Sequence, residues 1–255
     1  MARFKLLIEY AGTRYSGWQI QKNARTVQGE IDRAIRGALR PREFELYGAG
    51  RTDAGVHAIA QVAHLDIYTS ATPEQLRRKL NDELPADINI MAVDKVPHRF
   101  HARHDAVARS YVYQISRRRT AFGKPFVWWI KEPLDVGAMR EAAALFAGMQ
   151  DFRGFTDDDP DVKSTLVHVE ALEIAEAGSL ILMRVRGSHF LWKMVRRIVG
   201  VLAAVGRQEI APRDATGANI DVAALTAPAA GLFLEGVYYA GDSGPGAIVP
   251  VLNLR

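Results

Sequence analysis

The feature of this chain that most narrows its fold is a succession of apolar periods that runs twice: strand, helix, strand, strand, helix, strand. In the first run, Phe4, Leu6, Ile8 and Tyr10 alternate with Lys5 and Glu9, as the residues of a half-buried strand do. From Thr26, an N-cap candidate, Val27, Ile31, Ala34, Ala38 and Leu39 recur at helical spacing as far as Pro41. Strands are expected at 44–47 and 60–67. Thr72, Pro73 and Gln75 open a second helix with a capping box and a stripe of Leu76, Leu80 and Leu84, and a strand follows at 88–94.

The second run predicts a strand at 109–116, a helix at 135–147, strands at 166–175 and 180–186, a helix at 190–205 and a strand at 232–239. The expected fold is therefore α+β, two ferredoxin-like halves of βαββαβ type, residues 1–107 and 108–255. No linker rich in Pro, Gly or Ser separates the halves, so they are expected to pack together around a shared, basic central cleft. Residues 157–161 and the tail after Gly241 read as loops.

Charge sits in two blocks. Lys95, Arg99, Arg103, Arg109, Arg117, Arg118, Arg119 and Lys124 are accompanied by three histidines and only Asp105 as an acid. The stretch from Ala177 to Gln208 holds Arg184, Arg186, Lys193, Arg196, Arg197 and Arg207 and no acid at all. Cations clustered in this way bind phosphates by releasing counterions, and a polyanionic partner is expected. In the helix expected from Phe190, Arg196 falls off the apolar stripe of Phe190, Met194, Ile198, Val201, Leu202 and Val205, and Gly200 allows close approach of a backbone or a ligand.

The absence of Cys excludes disulfides, thiolate catalysis and thiolate metal sites, and suits a reducing compartment. With neither a signal-like nor a membrane-length apolar run, a cytoplasmic protein is expected, with no membrane partner. His98, His101 and His104 recur every third residue, but without an HExxH pattern they belong to a basic surface, and no metal is expected.

The chemistry-bearing segment is the glycine-punctuated loop from Tyr47 to Ala58. Gly48-Ala49-Gly50 opens no predicted helix and no Lys-Ser/Thr follows, so a nucleotide-phosphate cradle is a poor reading. Arg51 can keep Asp53 ionised if their side chains converge, although on spacing alone Asp53 reads first as a turn-capping residue.

Gly50-Arg51-Thr52-Asp53-Ala54-Gly55-Val56-His57-Ala58 resembles the signature loop of the bacterial tRNA pseudouridine synthase A family, whose aspartate is catalytic. Four further blocks in order are similar to that family: residues 10–19 with Thr26-Val27-Gln28, Ala108 to Tyr113, Phe190 to Arg196, and Ala227 to Leu232. The resemblance is less clear across residues 152–168, where Arg153-Gly154-Phe155-Thr156, the acidic run and His168 follow no assigned pattern.

The resemblance implies that uridines at positions 38, 39 and 40 of the tRNA anticodon arm are isomerised. Asp53 would be the catalytic carboxylate and Arg196 its paired cation. Tyr111 would stack on the target base and offer a hydroxyl for the proton lost from carbon, with Leu232 as an apolar wall. Arg51 would help hold the extruded nucleotide. Because no redox change occurs, no cofactor is expected, and a homodimer is implied. Attack of Asp53 on ribose, attack on the base, and removal of a ribose proton all stay open. So do two other readings, a catalytically silent RNA-binding module and a synthase acting on another RNA or tRNA site.

Overall fold

The computed structural model of the chain describes residues 1–160, 164–217 and 219–254; Asp161, the last residue of the expected acidic loop, lies outside them. In chain order its elements are β1 (Ala2–Tyr10), α1 (Val27–Leu39), β2 (Phe44–Gly48), β3 (His57–Ile67), α2 (Pro73–Glu83), β4 (Ile88–Val96), β5 (Ala106–Ser116), β6 (Trp128–Trp129), α3 (Val136–Ala144), β7 (Gly148–Asp151), β8 (Leu166–Ala177), β9 (Leu180–Gly187), α4 (Met194–Gly206) and β10 (Leu232–Tyr239). This mixed α+β set forms two compact units. One comprises Met1–Val107 with Phe233–Ser243, the other Ala108–Leu232 with Gly244–Arg255.

In the first unit β1 lies between β4 and β3, antiparallel to both. Its alternation is realised fully, since Phe4, Leu6, Ile8 and Tyr10 are all buried. Along the other side of β3, β2 pairs antiparallel with residues 63–67 and β10 pairs in parallel with His57 and Ala58. That parallel pairing, together with the pairing of Ala58 to Tyr10 across a register shift in β1, explains why β3 begins at His57 and not at residue 60. One of these two partners is a strand almost the whole chain away, which a local pattern does not register.

Both helices of this unit start at their predicted caps. The Thr26 hydroxyl accepts the Gly29 N–H at 3.3 Å, and Thr72 with Gln75 forms the reciprocal capping box. Leu76 and Leu80 are fully buried, whereas Leu84 caps the end of α2 in an extended conformation and is half-buried. Pro85 follows it and disfavours a helical residue at 84.

In the second unit β9 lies between β5 and β8, with β7 beyond β8, all antiparallel. The two-residue β6 pairs in parallel with the end of β5. Neither β6 nor β7 is expected from the sequence, because each is too short to show a period. α3 packs on β8 and α4. The tail has no regular element, yet Ile248 and Leu254 pack on Val127, Leu180 and Leu182.

The helix expected from Phe190 starts four residues late, at Met194. Its entry is held by acids from elsewhere: Asp158 accepts the Trp192 N–H at 3.0 Å, and Lys193, in a left-handed conformation at φ +61°, reaches Asp157 at 2.7 Å. Every residue of α4 except Arg196 is buried, so the helix is a core element and not one with a single apolar stripe. Cutting Ile198 to Ala at its centre is expected to cost about 2–5 kcal/mol. Gly200 has the predicted role, since a β-carbon there would lie 1.7 Å from the Leu225 carbonyl oxygen. The close partner is backbone. Among the described residues no helix is long and apolar enough to cross a membrane.

Candidate active site

The Asp53 loop is built on the segment that follows β1. Gly17 adopts φ +93°, and a β-carbon on it would lie 2.6 Å from the Thr52 carbonyl oxygen and 3.2 Å from the Asp53 carbonyl carbon. That oxygen accepts the Trp18 N–H at 3.1 Å, and the Thr52 hydroxyl is 2.7 Å from the Tyr10 hydroxyl. The Tyr15 carbonyl accepts the Gly55 N–H, and that of Asp53 accepts the Val56 N–H at 3.1 Å. Gly12 lies so close that a β-carbon would meet the Val56 oxygen at 1.9 Å, and its N–H donates to His57 Nδ1 at 3.0 Å. The two segments that carry the family resemblance in this half thus form one hydrogen-bonded body. In it Thr52 is buried, Asp53 half-buried and Arg51 exposed. A half-buried carboxylate presented from a fixed backbone suits either nucleophilic attack or proton removal.

Trp18 extends this support. Its oxygen accepts the Gln28 N–H, while the Gln28 side chain donates to Leu46 and accepts from Gln19 and Ile20. The start of α1, residues 18–20 and β2 are tied through one glutamine. Sequence reading missed Tyr10, Gly17 and Gln28 as supports of the loop; the signal was their place in the resembling blocks, not any period.

Tyr111, Arg196 and Leu232 lie in the second unit. Tyr111 is half-buried on β5 opposite Val185, and its ring meets Phe190 edge-on at 5.2 Å. Phe190 therefore packs against Tyr111 instead of joining the helix stripe. Tyr113, on the same strand face, is buried and donates its hydroxyl to the Pro228 carbonyl at 2.7 Å. Burial pushes the Tyr113 hydroxyl pKa well up, opposed by the Arg196 charge, so this tyrosine is an anchor and not an acid or base. Arg196 and Ala227 bond reciprocally: the arginine Nε donates to the Ala227 oxygen at 2.7 Å, and the Ala227 N–H to the Arg196 oxygen at 3.0 Å. These bonds fix the segment leading through the Ala229–Gly231 turn to Leu232, which is 5% exposed. Arg51 and Asp53 thus share one loop, and Arg196 and Leu232 the ends of one braced segment.

The second basic block is not the open cationic surface its sequence suggests. Glu173 faces Arg184 at 3.6 Å, Glu170 faces Arg186 at 3.0 Å, and Glu209 faces Arg207 at 2.7 Å. Asp157 binds both Lys193 and the buried Arg197, whose hydrogen bonds hold its carboxyl below the usual range. Most of these acids arrive from β8 and from the acidic run, out of sight of a linear window, while Glu209 lies just beyond the end of the block. In the first block Arg117 pairs with Glu176 at 2.8 Å, whereas Lys95, Arg99 and Lys124 are exposed without an ion pair among the described residues.

The histidines make a ring cluster. His64 Nδ1 accepts the Ala102 N–H at 3.1 Å, and His101 Nδ1 accepts from Arg103 and His104. Burial, with Arg3 nearby, pushes the His64 pKa down to about 4.

A mixed α+β chain with an aspartate on a glycine-braced loop and separate stacking, cationic and apolar candidates has the parts of a nucleotide-modifying enzyme. A family model described as tRNA pseudouridine synthase matches residues 6–105 and 142–240. The chain is 39% identical over 251 residues to the tRNA pseudouridine synthase A of Afipia carboxidovorans, covering 94% of this chain and 100% of that one. It is 36% identical over 248 residues to tRNA pseudouridine synthase A 2 of Clostridium tetani, covering 94% and 100%. Against the tRNA pseudouridine synthase A of Pseudothermotoga lettingae the figures are 39% over 246 residues, covering 93% and 99%. The chain belongs to the tRNA pseudouridine synthase family.

Proposed function

We propose that this chain isomerises uridine to pseudouridine in the anticodon arm of tRNA, at positions 38, 39 and 40, with Asp53 as the catalytic carboxylate. The observation that carries the reading is the bracing of the Asp53 loop by Gly12, Gly17 and Trp18, which fixes the carboxylate-bearing backbone and leaves the side chain half-exposed. In the reaction the bond from uracil N1 to C1′ breaks and one from C5 to C1′ forms; C5 loses a proton and N1 gains one. Atoms and redox state are conserved, so no cofactor is required.

The base must leave its stack, at a cost of a few kcal/mol. Arg51 serves to hold the extruded nucleotide and Tyr111 to stack on the base, its hydroxyl taking the proton from C5. Arg196 keeps Asp53 ionised, and Leu232 walls the pocket. The strand order β4-β1-β3-β2 of the first unit supports a ferredoxin-like reading of the halves, and a basic cleft, a homodimer and a cytoplasmic setting belong to the same proposal. Pseudouridine mapping in RNA from cells with and without the chain tests it. Loss at positions 38–40 alone is expected; unchanged modification there contradicts it.

A further inference from the structure

Beside the Asp53 loop, within the first unit, is a hollow of about 320 Å³ whose walls include Trp18, Tyr47, Arg51, His101, Arg103 and His104. No Asp or Glu lines it among the described residues, and the Asp105 carboxylate is engaged by the His101 N–H at 2.9 Å. Tyr47 is 49% exposed although its ring is stacked on His64 at 5.3 Å and 22°, and His64 is itself held by the Ala102 N–H. An aromatic ring so buttressed loses little freedom when something stacks on it. Neither the Tyr47 hydroxyl nor the Arg51 guanidinium has a hydrogen-bond partner among the described residues. The floor is shut, since a β-carbon on Gly48 would lie 2.5 Å from Trp18 Nε1.

An exposed ring beside two guanidiniums and two imidazoles, with no acid, is the chemistry that recognises a nucleotide by stacking on its base and pairing with its phosphate. We propose that this hollow holds a second nucleotide of the RNA, separate from the one isomerised, its base on Tyr47 and its phosphate between Arg103 and His104. Arg51, shared by the loop and the hollow, couples the two positions. The inference rests on the tRNA reading above for the identity of the RNA. It adds a contact that sets affinity and register and leaves the chemical step alone.

The test uses the full chain and an unmodified tRNA transcript, measuring Kd, KM and single-turnover kcat for wild type, Tyr47→Ala, Tyr47→Phe and Arg103→Gln. Tyr47→Ala is expected to raise Kd and KM about tenfold, with kcat at saturating RNA changed by less than about twofold. Tyr47→Phe keeps the ring and is expected to restore wild-type affinity. Arg103→Gln is expected to reduce the slope of log Kd against log salt by about 0.7–0.9. Wild-type Kd and KM in Tyr47→Ala, with an unchanged salt slope in Arg103→Gln, overturn the proposal. A wild-type chain that forms no pseudouridine but shows the same Kd changes overturns the activity reading and leaves the hollow standing.

Discussion

Gly17 and Thr52 pack backbone to backbone: a β-carbon on Gly17, at φ +93°, would lie 2.6 Å from the Thr52 carbonyl oxygen, one residue before Asp53. Gly17→Ala therefore meets both a disfavoured conformation and rigid backbone. It is expected to lower stability by about 1–3 kcal/mol. Activity should fall by more than the unfolded fraction accounts for, because the loop must shift to relieve the clash. Urea unfolding combined with turnover per folded molecule checks this; wild-type turnover would show that the loop position is not critical.

Asp157 holds Lys193 and the 4%-exposed Arg197 at the entry to α4. Asp157→Ala leaves a buried guanidinium short of a partner, at a cost of about 1–3 kcal/mol. With its folded pKa below the unfolded value near 3.8, the wild-type carboxylate contributes stability above that pH and loses it as the pH falls through the folded pKa. The difference between wild type and variant should thus be full at neutral pH and shrink below about pH 4. Denaturation midpoints over that range read it directly.

His64 gives a second pH effect in another window. Its folded pKa of about 4 lies below the ordinary 6.5, so the unfolded chain binds the extra proton in between and stability rises with pH from about 4 to 6.5. His64→Asn keeps an acceptor for the Ala102 N–H and does not titrate there. It is expected to flatten this part of the curve, and an unchanged slope would assign the dependence to other groups.

Periodicity made most of the regular elements legible, because each strand or helix with one buried face writes its period locally. The caps at Thr26 and Thr72 were legible for the same reason. What stayed hidden depends on distant partners: β3 is lengthened by β10, the start of α4 is delayed by Asp157 and Asp158, and the cations Arg184 and Arg186 are paired with acids from β8. The loop glycines showed only that positive φ was allowed, not that Gly17 would meet Thr52. The roles proposed for Arg51, Asp53, Tyr111, Arg196 and Leu232 rest on the resembling blocks, since as isolated residues each has an ordinary structural use.

The pairing of cations with acids predicts which of them set the salt dependence of tRNA binding. Replacing Lys95, Arg99 and Lys124 together with Gln should reduce the slope of log Kd against log salt by about 0.7–0.9 for each of the three that neutralises a phosphate. Replacing Arg186 and Arg207, which face Glu170 and Glu209, should leave the slope nearly unchanged. Equal effects of the two sets would mean that the ion pairs open when RNA binds.

The most direct measurement is pseudouridine formation by Asp53→Asn. The substitution preserves size and hydrogen-bond acceptance, and the backbone bonds of the loop, from Trp18 to Thr52 and from Val56 to residue 53, do not involve the carboxylate. The variant is expected to keep its unfolding midpoint within about 4 °C and to bind tRNA at least as tightly as wild type, because a negative charge near RNA phosphates is gone. It should form no pseudouridine at all, even in single turnover with enzyme in excess. Product at more than trace level from a preparation free of wild-type enzyme would contradict the account, leaving Asp53 as a turn residue and the chemistry to another group.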